Sequence, residues 1–270
     1  MYSYDKLYAL LESRNMKKTA LGAKLGISSR TIAKMGKGEP VSDAVIGKLC
    51  GFFGCRKEDI YEELFPDAIL GNKLGITDPA ELAREEERIS KMRAIELFET
   101  DLLSTQKSGS FDALSKIHAF LFSDVYPFAG KVRTVNIAKG SFRFAPLMYL
   151  KAALANIERM PQKDFDAIVE KYVEMNVAHP FREGNGRATR IWLDHILKSE
   201  LGMVIDWSLV DKGDYLLAME RSPIKDIEIK HLLKNALTDK VNDRQVFMKG
   251  LDASYHYEGY TTFKSAELGK

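Results

Sequence analysis

Cysteine is almost missing from this chain: Cys50 and Cys55 are the only two in 270 residues. Their spacing fits no common zinc motif and two thiols cannot build a disulfide scaffold, so both are expected to pack in a core in a reducing compartment. Long apolar runs are missing too. No stretch approaches the roughly 20 residues that a bilayer requires, and the N-terminus shows no signal-peptide pattern, which predicts a cytoplasmic protein with no membrane contact. An excess of one charge is missing: the net charge is +2, which gives the whole molecule no strong electrostatic address. Internal repeats and low-complexity tracts are absent as well, which excludes solenoids and disordered arrays. What is left, 45% hydrophobic and 29% charged, is the composition of a globular protein long enough for two domains.

The near-neutral total hides an uneven distribution. Residues 1–57 carry 11 Lys and Arg against 4 Asp and Glu, and residues 58–67 then add 5 acids and no base. The remainder holds 29 of each sign. A basic block closed by an acidic patch predicts a small separate module, set at 1–67. Phe65-Pro66-Asp67 and the loop around Gly71 to Gly75 read as the passage to a second domain, with the linker set at 68–75, a core at 76–240 and a C-terminal segment at 241–270. The fold class expected is mainly α: a small helical bundle followed by an all-α domain with one β-hairpin.

Within the module, residues 3–14 read as an amphipathic helix through Leu7, Leu10 and Leu11. Thr19 is placed to cap a helix from Ala20 to Leu25, Gly26-Ile27-Ser28 to turn, and Ser28 to cap a third helix reaching about Met35. Ser42 is placed to cap a fourth, with Val45, Ile46, Leu49, Phe52 and Phe53 on its apolar face. Two short helices about a glycine-containing turn form a helix-turn-helix pattern. Through Met16, Thr19, Leu21–Leu25, Gly26-Ile27-Ser28, Thr31-Ile32, Gly38-Glu39 and Asp59-Ile60, the segment resembles the Cro-repressor type of DNA-binding domain. That resemblance implies duplex DNA as a partner, with Ser29, Arg30 and Lys34 of the third helix facing bases and phosphates and Lys37 at the backbone. Self-association into a homo-oligomer is an expectation of the same kind.

Beyond the linker, Asp78-Pro79 reads as a cap and first helical position for a long charged helix to about Phe98. Helices are expected at 111–122, 146–160 and 164–178. Residues 130–146 break the pattern: Val132, Val135, Ile137, Phe142 and Phe144 around Ala138-Lys-Gly-Ser141 read as a hairpin turning at Lys139-Gly140. His118 and His195 are expected to be structural, and Trp192 and Leu193 to be core.

The stretch His179-Pro-Phe-Arg-Glu-Gly-Asn-Gly-Arg-Ala-Thr-Arg190 carries the chemistry. Gly184-Asn185-Gly186 can aim successive backbone N–H groups at one anion, reinforced by the dipole of a helix that opens at Asn185 or Gly186. Arg187 and Arg190 share a helix face and can clamp further phosphate oxygens. Glu183 offers a hard oxygen for Mg²⁺ bridging those phosphates. His179 is placed to take a proton from an attacking hydroxyl. Phe181 is the apolar anchor.

The stretch resembles the signature of the Fic family, His-x-Phe-x-(Asp/Glu)-Gly-Asn-Gly-Arg-x-x-Arg, at every specified position. The resemblance implies a nucleotidyltransferase that moves AMP from ATP to a Ser, Thr or Tyr hydroxyl of a target protein, with Mg²⁺. It also implies that the hairpin over 130–146 is a flap on which the unidentified target chain docks, with Lys139 and Arg143 as candidate contacts. Ser254-Tyr-His-Tyr-Glu258-Gly resembles the inhibitory helix of some Fic proteins, which implies that Glu258 pairs with Arg190 in the space of the γ-phosphate. Tyr255, Tyr257 and Tyr260 flank that glutamate; Tyr255 and Tyr260 are candidates for self-modification, and aromatic packing is the alternative. Two other readings of the chain stand beside AMP transfer: a transcriptional regulator whose Fic domain senses nucleotide or modifies the protein itself, and transfer of a different group.

Overall fold

The computed structural model describes residues 2–63, 70–100, 102–139 and 142–269. The chain divides into two compact units, 1–68 with 136–146, and 69–135 with 147–270. No helix among the described residues is long and apolar enough to cross a membrane.

The first unit is built from strand β1 (Tyr2–Ser3), helices α1 (Asp5–Ser13), α2 (Lys18–Leu25), α3 (Ser29–Gly36) and α4 (Asp43–Phe53), and strand β2 (Glu62–Glu63), which pairs antiparallel with β1. Tyr4, Leu7, Leu11, Leu21, Met35, Leu49 and Ile60 close its core, most at helical spacing on the faces expected of them. Ser28 accepts a hydrogen bond from Thr31 N at 3.1 Å and starts α3 as expected. Gly26, at φ +62°, supplies the left-handed residue of the turn. Two caps are corrected. Ser42 precedes α4 as expected, but its side chain makes no capping hydrogen bond. Thr19 lies inside α2, which begins after Lys17 with no side-chain cap, because the turn begun by Asn15 at φ +49° already sets the chain direction.

The hairpin is shorter than the alternation of Val132, Val135 and Ile137 suggests. Strands β3 (Ala138–Lys139) and β4 (Phe142–Arg143) pair over two residues each, and the turn at Gly140-Ser141 lies outside the described residues. Arg143, a candidate contact for target or nucleotide, is committed within this unit: it donates to Tyr2 O at 3.3 Å and pairs with Asp5 at 3.8 Å.

The second unit comprises α5 (Pro79–Glu99), α6 (Phe111–Phe122), α7 (Leu147–Arg159), α8 (Phe165–Ala178), α9 (Asn185–Leu201), α10 (Lys212–Arg221), α11 (Ile227–Asn235), α12 (Arg244–Tyr257) and α13 (Ser265–Leu268). A short pair of β5 (Val204–Ile205) with β6 (Leu237–Thr238) joins them. Asp78 and Asp164 cap α5 and α8 through their carboxylates, and Pro79 opens α5 where its missing N–H costs nothing. The axis of the unit is α9, whose Trp192, Leu193, Ile196 and Leu197 are fully buried against α6, α8 and α12.

The linker expected at 68–75 is corrected in part. Its start at Phe65–Asp67 lies outside the described residues, whereas 70–75 fold onto the second unit. Lys73 N–H donates to Val125 O at 2.8 Å, and Asn72 binds the backbone of Leu70, Leu74 and Ile76. The C-terminal segment is packed into the same unit. Buried Lys91 of α5 donates to Glu87, to Asp252 of α12 and to the Phe263 carbonyl, at 3.1, 3.1 and 2.6 Å.

Candidate functional site

The site is the junction between α8 and α9. Helix α8 ends at Ala178 because His179 turns left-handed, at φ +48°, a conformation uncommon outside glycine and held here by its surroundings. Arg133, 3% exposed, donates to the carbonyls of His179 and Ala178, at 2.8 and 3.3 Å, and its own N–H donates to Pro180 O at 2.8 Å. The imidazole Nδ1 of His179 lies 3.3 Å from Asn176 O, and the residue keeps part of its surface exposed.

The loop from 179 to 184 is braced from both sides. Phe181 is fully buried, stacked on His118 with ring centroids 3.8 Å apart. His118 accepts from Gly130 N at Nδ1, which leaves the proton on Nε2 to donate to Glu183 O; both distances are 2.8 Å. Burial lowers the His118 pKa to about 4, so the ring is neutral as that pattern requires. Its structural assignment from sequence stands, but its hold on the motif's own backbone is not legible there.

Gly184, at φ +76°, is the residue before α9, and a Cβ on it would lie 2.5 Å from the Phe122 ring, so only glycine fits. Asn185, expected to hold phosphate, instead spends its side chain on the loop: Oδ1 accepts from Phe181 N and Nδ2 donates to Phe181 O, both at 2.8 Å. What it has left to offer an anion is its backbone N–H at the start of α9.

Glu183 uses Oε1 to accept from Gly184 N at 2.9 Å and from Arg187 Nη2 at 3.1 Å. No hydrogen bond reaches its Oε2 among the described residues, and its side chain is 41% exposed. Desolvation pushes its carboxyl pKa up, Arg187 opposes this and Glu86 adds to it. Among the described residues no group of three or more His, Cys, Asp or Glu could hold a metal by itself. Mg²⁺ does not require one, since a carboxylate, waters and substrate phosphates complete its shell, and the accessible Oε2 fits that role.

Both arginines are buried on the expected face of α9. Arg190 donates through Nε to Ser254 Oγ at 2.6 Å, and through Nη2 to Ser254 O at 2.8 Å and Glu258 Oε1 at 3.0 Å. Ser254 lies in the last turns of α12 and Glu258 is the residue that ends it. The Glu258 carboxylate lies against Gly186, in the volume that a Cβ there would fill. Arg187 pairs with Glu183 and, more closely, with Glu86 of α5, a partner that no sequence pattern singles out.

The tyrosines beside the glutamate are packed. Tyr255 is 1% exposed, with its hydroxyl donating to Ser90 Oγ at 2.8 Å; Tyr257 donates to the carbonyls of Trp207 and Val210. Tyr260 donates to Glu86 at 3.2 Å and lies over Arg187, with 4.6 Å from guanidinium to ring centroid. In the first unit, α3 presents Ser29 and Arg30 to solvent, with Lys34 half-buried and Lys37 exposed. Trp192 and His195 are structural as expected: Trp192 Nε1 donates to Ser110 O, and His195 Nε2 meets Leu103 O, both at 3.0 Å.

Comparison with known proteins identifies both domains. Residues 109–197 match the model of the Fic/DOC family and residues 6–63 that of a Cro/C1-type HTH DNA-binding domain. The chain is 34% identical over 194 residues to the protein adenylyltransferase VbhT of Bartonella schoenbuchensis, which is 66% of this chain and 39% of that protein. It thus spans about two fifths of that relative's length. With the probable protein adenylyltransferase y4lH of Sinorhizobium fredii it shares 31% identity over 167 residues, 57% of this chain and 83% of that one. The crystal structure of BepC from Bartonella tribocorum with bound AMPPNP has a TM-score of 0.52 at 20% identity, over 65% of this chain and 95% of that one, a likeness of fold. This chain belongs to the Fic/DOC family and carries a Cro/C1-type helix-turn-helix domain at its N-terminus.

Proposed function

We propose that the protein transfers AMP from ATP to a hydroxyl side chain of a target protein, and that Glu258 is its brake. The observation that carries the reading is the junction at 179–190. A histidine on the loop, an anion nest at the start of α9 and two arginines on that helix lie within twelve residues, and relatives in sequence bear the name protein adenylyltransferase. In the reaction, His179 takes the proton of the target hydroxyl while its oxygen attacks the α-phosphorus. The bond from that phosphorus to the bridging oxygen breaks and pyrophosphate leaves. Backbone N–H groups at 184–186 and the α9 dipole stabilise the charge that develops, and Arg187 and Arg190 hold the outer phosphates. Mg²⁺, when bound at Glu183, neutralises phosphate charge. The target docks at the flap over 130–146. These are reactions of the cytoplasm, where ATP and DNA are at hand.

The brake follows from competition. Glu258 takes the Nη2 donor of Arg190, and its carboxylate fills the volume against Gly186 at the mouth of the nest, so a phosphate that needs the same donor and the same space must displace it. Losing a charge-assisted contact of about 1.5–3 kcal/mol corresponds to roughly a tenfold or greater gain in productive ATP binding. The test is transfer of labelled α-phosphate from ATP with Mg²⁺ and cell lysate, using wild type, Glu258→Gly and Glu258→Gly/His179→Ala. The expected outcome is at least about tenfold more label with Glu258→Gly and a fall of about 10²–10⁴-fold when His179 is also removed. Equal labelling in all three would overturn both assignments. Mass spectrometry of the Glu258→Gly protein would show whether Tyr255 or Tyr260, once released, takes AMP itself.

The match over 6–63 and the exposed Ser29 and Arg30 favour a second reading, a DNA-binding regulator whose Fic domain senses nucleotide or modifies the protein itself. Binding to duplex DNA, and self-association on it, is its measurement.

A further inference from the structure

Glu86 stands outside the motif, on α5, 101 residues before Arg187. The residue is 2% exposed, yet it carries three polar contacts. Oε1 accepts from Arg187 Nη1 in a close ion pair and from the Tyr260 hydroxyl at 3.2 Å. Oε2 accepts from the Tyr126 hydroxyl in an equally close bond. Arg187 is 1% exposed and is enclosed by the rings of Phe122, Tyr255 and Tyr260, at 4.9, 5.4 and 4.6 Å from their centroids. Its Nε is buried with no hydrogen-bond partner among the described residues.

Two carboxylates therefore share one guanidinium on unequal terms. The Glu183 side chain is 41% exposed and that of Glu86 only 3%. Glu183 sits on a loop and has an accessible oxygen, so it can turn to a metal. Glu86 sits in the middle of a long helix and is tied behind by Tyr126, so it cannot follow. A buried arginine that lost all its counter-charge would be strongly destabilised, and a guanidinium anchored at one edge keeps its plane when the other edge changes partner.

We propose that Glu86, braced by Tyr126, is the positioning residue that holds Arg187 in the orientation that receives the β- and γ-phosphates of the nucleotide. Glu183 is the exchangeable partner of Arg187 and Glu86 the permanent one. Tyr260 takes a share of the same carboxylate and covers the same guanidinium, so the C-terminal segment meets both arginines of the motif, Arg190 through Glu258 and Arg187 through Tyr260. This deepens the reading above and rests on Arg187 being a phosphate ligand.

Calorimetric titration of the full chain with ATP, ADP and AMP, in the Glu258→Gly background, tests it. Adding Glu86→Gln keeps the shape and removes the charge. ATP and ADP should then bind about tenfold or more weakly while AMP is unchanged, because only the outer phosphates reach the misaligned arginine. A purely structural role would weaken all three nucleotides alike or leave all three unchanged, and either result overturns the inference. Arg187→Ala in the same background separates the two layers. If it too leaves the ATP-to-AMP preference intact, the phosphate role of Arg187 fails; if it abolishes the preference while Glu86→Gln does not, the role of Glu86 alone fails. Should Glu86→Gln not fold, Tyr126→Phe retains the charge and removes only the brace. It should show the same selective loss for ATP and ADP at about threefold, and no selective loss overturns the inference.

Discussion

His118 holds the loop that leads into α9 and Asp194, in the middle of α9, holds the chain that follows it; protons act on the two in opposite directions. Burial lowers the His118 pKa from 6.5 to about 4. The unfolded chain therefore takes up this proton first as pH falls, and the stability His118 supplies is complete above about 6.5 and lost towards 4, by about 3 kcal/mol. Asp194 accepts from Ile205 N at 2.9 Å and Trp207 Nε1 at 2.8 Å, and burial raises its pKa from 3.8 to about 7 despite both bonds. The native state holds that proton more tightly than the unfolded chain, so this contribution is present below about 3.8 and lost as pH rises through 7. Denaturant titrations at pH 4, 5, 6 and 7 should show wild type gaining on His118→Gln as pH rises and falling back against Asp194→Asn. Parallel profiles for either variant would mean that its group does not titrate as described.

At the scale of elements, the helices announced by a cap are the ones whose limits are legible in the sequence. Asp78-Pro79 starts α5 and Asp164 starts α8 because a side-chain acceptor for free N–H groups is a local matter. Helix α2 lacks such an acceptor, and Thr19 misplaces its start. Helix α3 has both its cap and exposed Ser29 and Arg30. If it enters a DNA groove, Arg30→Ala and Lys34→Ala should each lower the slope of log affinity against log salt by about 1 when they touch phosphate, and Arg30→Ala should narrow the gap between specific and random duplex when it reads a base. Fluorescence anisotropy with both duplexes at several salt concentrations measures this; unchanged slopes for both variants would remove α3 from the interface.

If Glu258 is the brake proposed, the activity of the whole molecule depends on how its C-terminal segment is held. Lys91 ties α5 to α12 and to the segment that follows, through Asp252 and the Phe263 carbonyl, while Glu87 accepts from Thr262 N and Phe263 N at 3.0 and 3.2 Å. Removing the lysine leaves buried Glu87 without its cation. Lys91→Ala should cost about 3–5 kcal/mol, seen as a lowered unfolding midpoint, and should loosen α12 enough to raise AMP transfer without any change at Glu258. A lowered midpoint with unchanged transfer would mean that Lys91 takes no part in the proposed brake.

The sequence alone determined the motif at 179–190, the helix-turn-helix and most helix limits, because nests, caps and apolar periodicity are properties of neighbouring residues. It also placed Ser254 and Glu258 on one helix face, where both now meet Arg190. It could not show that Asn185 spends its side chain on Phe181, that Arg133 and His118 clamp the loop, or that Glu86 and Tyr260 enclose Arg187. Those choices belong to the tertiary structure. A buried charge or a strained loop must be satisfied by whichever group packing brings within reach, and that group can lie anywhere along the chain.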